Sequence, residues 1–167
     1  MDDVLERAGA CRSARAWAYG KSAEEIWRTC DREDWMKWWI ERVLTAADVG
    51  RVCRHLACDF AEQTLPLYEV AHPADTRPRD VIAVARRYAE GAATAEEMDA
   101  AWYVGSAAIM VAKSLANVGA WNAAKNARAT SMLCTSNAVR SATMGLTWAE
   151  QCAIIRVRFP VMPEFAP

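Results

Sequence analysis

The sequence predicts an all-α protein, a single-domain helical bundle of about six to eight helices spanning residues 1–167 and ending in an alanine-rich C-terminal helix pair. Three observations carry this reading. Apolar residues recur at steps of three and four, as in Val49, Val52, Cys53, Leu56 and Phe60, which places them on one face of a helix. Ser22 to Glu25, Thr94 to Glu97 and Thr147 to Glu150 each have the capping-box form, in which the hydroxyl accepts the N–H three residues on and the glutamate reaches back. Alternating or β-branched runs that would signal strands are almost absent.

Taken in order, these signals predict helices over 3–19, 23–30, 32–44, 46–65, 78–90, 95–143 and 148–159. Gly20, Gly91, Gly145, Pro66, Pro73 and Pro160 fall where helices should stop, and 67–77 reads as the one sizeable loop. The helices therefore divide into a tryptophan-rich set within 1–66 and a second set within 78–160, with a short tail at 161–167. The stretch 95–143 would span about 70 Å as one straight helix, too long for a compact domain of this size. It must turn, and Asn117-Val118-Gly119 and Ala129-Thr130-Ser131 are its weakest points, with an antiparallel pair the expected solution. Ala101, Gly105, Ala108, Ala112, Ala116, Gly119 and Ala123 lie at three- and four-residue steps, a seam small enough for close helix packing.

Composition narrows the function. Charged residues make up 25% and the net charge is −1, so there is no bulk attraction for nucleic acid or anionic lipid. The longest apolar stretch, Val104 to Trp121, is interrupted by Lys113 and polar residues and is a poor membrane span; the start, Met1 to Arg7, lacks an apolar core for a secretory signal, so a cytoplasmic protein is expected. In that compartment the six cysteines should be free thiols. No Cys-x-x-Cys occurs, and His55, Cys58 and Asp59 lack a fourth ligand, so neither a metal nor a cofactor is expected.

No set of residues meets the requirements for catalysis. Glu24/Glu25, Asp31/Glu33/Asp34 and Glu96/Glu97/Asp99 sit at helix starts, where negative charge favours the macrodipole. Trp27, Trp35, Trp38 and Trp39 read as bulky core, or alternatively as a stacking platform for a base. From Ala100 through Ala149 there is no Asp or Glu, while Lys113, Lys125, Arg128 and Arg140 remain. Within this span Tyr103, Ser106, Met110, Lys113, Asn117, Trp121, Lys125 and Arg128 would form one stripe on a continuous helix. Tyr103, Met110, Lys113, Trp121, Lys125 and Arg128 are accordingly the candidate partner-binding residues, and a protein with an acidic patch is the expected complement.

The run Cys30 to Trp39, the helix start at Ser22 to Trp27, Arg77-Pro78, Tyr88 to Gly91 and Ala93 to Glu97, in that order, resemble the putative immunity-protein family of bacteria and phages. The similarity covers about 9–105 and resumes over Glu150 to Pro160, leaving an alanine-rich middle of variable sequence between. The resemblance implies an all-helical, non-enzymatic protein that binds and neutralises a toxin or other effector. It also admits a phage-borne inhibitor of a host defence complex. A small-ligand or nucleotide binder using the indoles is a further alternative, and self-association into a homo-oligomer stays open. A near-neutral chain fits a target other than a basic nuclease, whose inhibitors tend to be acidic.

Overall fold

The computed structural model describes residues 1–114, 117–133 and 135–164, and among these it is all-helical without strands. Among the described residues ten helices form two compact units, one from Met1–Thr45 with Trp148–Pro167 and one from Ala46–Thr147.

The first unit contains α1 (Asp2–Arg7), α2 (Arg12–Ala18), α3 (Ala23–Thr29), α4 (Glu33–Val43) and α10 (Trp148–Arg158). Ser22 and Glu25 make the expected capping box, the Ser22 hydroxyl accepting from Glu25 N–H at 3.1 Å and the carboxylate accepting from Ser22 N–H at 2.8 Å. Arg156 on α10 donates to the carbonyls of Trp27 and Cys30, satisfying the open C-terminal end of α3. The indole N–H groups of Trp27 and Trp39 donate to the carbonyls of Phe159 and Pro163, at 2.7 and 2.8 Å, and tie down the residues that follow α10.

The second unit contains α5 (Ala46–Ala71), α6 (Arg77–Ala89), α7 (Ala95–Ser114), α8 (Val118–Thr130) and α9 (Thr135–Ser141). Helix α8 packs against the other four, which explains its composition. Ala120, Ala123, Ala124, Ala127 and Ala129 are all buried, and larger side chains would hold the neighbouring axes apart. Asn126 is buried among them, donating to Thr64 Oγ1 and Met144 O and accepting from Met144 N–H, so it pins the turn after α9.

Several boundaries depart from the sequence reading. The helix expected over 3–19 is two helices, because Gly9 adopts φ +83° and closes α1 in a Schellman turn. The count of ten instead of six to eight follows from this break and from those in 95–143. Pro66 does not end its helix: α5 continues to Ala71, and the loop expected at 67–77 shrinks to 72–76. A proline forfeits one hydrogen bond, but Leu65 and Tyr68 beside it are buried, and their packing keeps the helical path.

The capping box at Thr94 forms as expected, Glu97 N–H donating to Thr94 Oγ1 at 3.2 Å and Thr94 N–H to Glu97 Oε2 at 2.8 Å. Thr94→Ala should lower stability in chemical denaturation by about 0.5–2 kcal/mol. An unchanged denaturation midpoint would show that the box contributes nothing to α7.

Candidate protein-interaction surface

The stretch without acids folds back on itself. Asn117 begins α8 by accepting Ala120 N–H at 3.0 Å, which supplies a new helix start and ends the possibility of one continuous helix. Helices α7 and α8 then run antiparallel, Gly105 facing Arg128 while Ala108 and Ala112 pack with Ala120, Ala123 and Ala124. Both breakpoints legible in the sequence are used, at 117 and at 130–131.

Beside the start of α8 lies a groove of about 280 Å³ lined, among the described residues, by Ala112, Lys113, Asn117, Val118 and Trp121. Lys113 and Val118 are exposed, and Ala112 is fully buried at its floor. The Trp121 indole is partly buried, with Lys125 Nζ 4.2 Å from its ring centre. Its N–H is shielded from solvent and has no acceptor among the described residues.

This geometry corrects the single stripe. The six candidate residues lie on two helices of opposite direction, so they do not follow one another along one helix face. Lys113 and Trp121 are brought together in the groove, and Lys125 stacks on Trp121. Tyr103 and Met110 on α7 are 74% and 73% exposed. Arg128 is a strut between α7 and α8: its guanidinium lies 4.2 Å from the Trp102 ring centre and donates to Ser106 Oγ at 3.4 Å. Asn117, already a member of that stripe, also lines the groove, and Val118 joins it in a place that depends on where the helix breaks.

The other candidate chemistries resolve into structure. The indole cluster of the first unit borders a partly open pocket of about 40 Å³ lined by Trp17, Trp27, Trp35, Trp38, Trp39 and neighbouring apolar side chains, room for a few waters but not for a base. Glu25 and Glu97 serve capping boxes, Asp34 pairs with Arg32, and Glu33 pairs with Lys37 at 3.2 Å. Cys58 is fully buried, and desolvation pushes its thiol up to about 12, while Asp59 is held by Arg86 at 2.8 Å. Among the described residues no group of His, Cys, Asp and Glu could hold a metal ion. Cys11, Cys30, Cys53, Cys58 and Cys152 are free thiols; Cys134 lies outside the described residues.

Sequence reasoning missed one polar cluster in the second unit. The Tyr68 hydroxyl donates to Asp75 at 2.5 Å, and Arg77 grips the same carboxylate through Nε and Nη2. The guanidinium and the phenol hold the Asp75 carboxyl well below its ordinary range, while burial and that carboxylate push the phenol up to about 12. The cluster staples the 72–76 loop to α5.

Residues 51–147, more than half of the chain, match the family described as Imm-5 like putative immunity protein. The chain belongs to this family. No curated protein and no solved structure matches it. The region shared with the immunity-protein family falls inside the second unit and contains the whole groove. Arg77-Pro78, Tyr88 to Gly91 and Ala93 to Glu97 lie within it, whereas the tryptophan-rich run and Glu150 to Pro160 do not. The alanine-rich middle of variable sequence lies within the matched region as far as residue 147. Among the described residues no helix is long and apolar enough to cross a membrane.

Proposed function

We propose that the protein is a non-enzymatic immunity-type protein that binds and neutralises a toxin or other effector protein through the α7–α8 hairpin of its second unit. The observation that carries this reading is the coincidence of the family match with a hairpin that bears Lys113 and Lys125 and has no acid in the sequence between Ala100 and Thr130. Exposed helical surfaces normally mix both signs, and a one-signed apolar face favours a partner of opposite charge. A component of a host defence complex with an acidic patch would meet the same face.

The test is co-expression with the products of the flanking genes. A flanking product that arrests growth alone and is relieved by this protein, with the two co-purifying, is the expected result. Relief without physical association would overturn the binding mechanism, and no relief of any flanking product would overturn immunity. With a partner in hand, Lys113→Glu should slow association at low salt by about tenfold and leave the helical content unchanged, because the side chain is exposed and rim charges act mainly on association. Reversal of Arg128 is unsuited to this purpose, since a carboxylate there would abandon Trp102 and Ser106.

A further inference from the structure

Two cations of the α7–α8 hairpin stand without a counter-charge. Lys125 and Arg128 lie one turn apart on the side of α8 that is not buried, each half-buried against an indole, Trp121 of α8 and Trp102 of α7. Neither joins an ion pair among the described residues. Arg128 reaches only the Ser106 hydroxyl, at 3.4 Å, longer than an ordinary hydrogen bond. The carbonyls at the end of α8 are already taken: those of Ala127, Arg128, Ala129 and Thr130 accept from Thr130 Oγ1, Ser131, Met132 and Arg54. The nearest acid along α7 is Asp99, before Trp102, and none follows as far as Thr130. Apolar surface adjoins the cations. Tyr103 and Met110 are largely exposed and sit three residues before and four after Ser106, so they are its neighbours on the helix surface. Gly105 faces Arg128, so in the antiparallel register Ala108 is level with Lys125, and both cations fall between Tyr103 and Met110 along the axis.

We infer that this face docks an acidic amphipathic helix of the partner protein, its carboxylates one turn apart on Lys125 and Arg128 and its apolar stripe across Tyr103 and Met110. The spacing fits such an occupant. Cations three residues apart on α8 are separated by about 4.5 Å along the axis, close to the rise between acids one turn apart on a second helix. Tyr103 and Met110 are separated by about 10 Å, the rise of an apolar pair seven residues apart. Each cation is already fixed against an indole, so pairing it with a carboxylate costs less side-chain freedom than ordering a lysine that extends into water. Tyrosine, methionine and arginine are also the side chains enriched where protein surfaces meet. The inference rests on the proposed function for the occupant being a protein and deepens it, while the chemistry of the face can be tested by itself.

Three end-capped, fluorescently labelled alanine-based helical peptides separate the contributions. The first has two leucines seven residues apart and two glutamates one turn apart on the flank of that stripe; the second has glutamine for glutamate, and the third alanine for leucine. Each is titrated with the full chain at low salt and its fluorescence anisotropy is followed. Saturable binding of the first peptide is expected, at concentrations at least fivefold lower than the other two require. Lys125→Gln, which keeps a stem against Trp121, should raise the half-saturating concentration at least threefold with the circular dichroism unchanged, and so should Tyr103→Ser combined with Met110→Gln. Arg79→Gln removes an exposed charge from α6 and should leave binding unaltered. Absence of saturation, equal responses to glutamate and glutamine, indifference to Lys125→Gln, or an equal loss on Arg79→Gln would each overturn the inference. Tighter binding of an oligodeoxythymidylate of the same net charge would overturn it as well, in favour of a nucleic-acid face. If the acidic helix binds as expected but no flanking gene product is neutralised, only the proposed function fails. If neutralisation occurs and survives Lys125→Gln and the Tyr103→Ser, Met110→Gln pair undiminished, only this docking face fails.

Discussion

Arg54→Met is expected to cost about 3–5 kcal/mol in urea denaturation of the full chain, the largest effect of any single substitution considered. Arg54 is 1% exposed and donates to the carbonyls of Thr130, Met132 and Leu133, the last at 3.0 Å, so it closes the C-terminal end of α8 where that helix runs out of its own donors. Its guanidinium also lies 5.5 Å from the Tyr88 ring centre. Methionine preserves much of the stem but leaves these carbonyls short of donors, and a buried acceptor without a partner costs about 1–3 kcal/mol. Arg54→Lys should fall between, because an ammonium keeps the charge and loses the planar fork. Hydrogen exchange should show the loss first at the last turn of α8. A loss below about 1 kcal/mol for Arg54→Met would mean that water replaces the guanidinium without penalty.

The second large effect sets helix propensity against packing. A valine in place of a mid-helix glycine recovers part of the roughly 1 kcal/mol that glycine costs a helix. At Gly105, however, a Cβ would stand 2.8 Å from Arg128 Cβ and 3.1 Å from its Cα, so α8 itself must move. Overpacking of this kind costs about 1–3 kcal/mol and valine adds two further carbons, so Gly105→Val should lose at least about 2 kcal/mol net. Gly50→Ala is the control. It lies in α5 with nothing within 4 Å of the added carbon and should gain about 0.5–1 kcal/mol. If both substitutions stabilised the protein, the close approach of α7 and α8 would be refuted.

The same residues show how far the sequence reaches. Helix identity was legible because it is set by neighbours in the chain: the three- and four-residue spacing, the boxes at Ser22 and Thr94, and Gly91 at φ +74° all act within about a turn. The alanine–glycine seam likewise announced close helix packing, and the gap in acids announced an unusual surface. The sequence by itself thus determined the all-α class and most helix limits. Tertiary structure decided what local signals cannot encode. Pro66 stays helical because distant alanines bury Tyr68, Arg54 seals a helix that begins more than sixty residues later, and Arg128 becomes a strut because Gly105 lets Trp102 and Ser106 come within reach. Only after α7 and α8 fold against each other do Lys113 and Trp121 share a groove, since residues on different helices meet through packing and not through spacing.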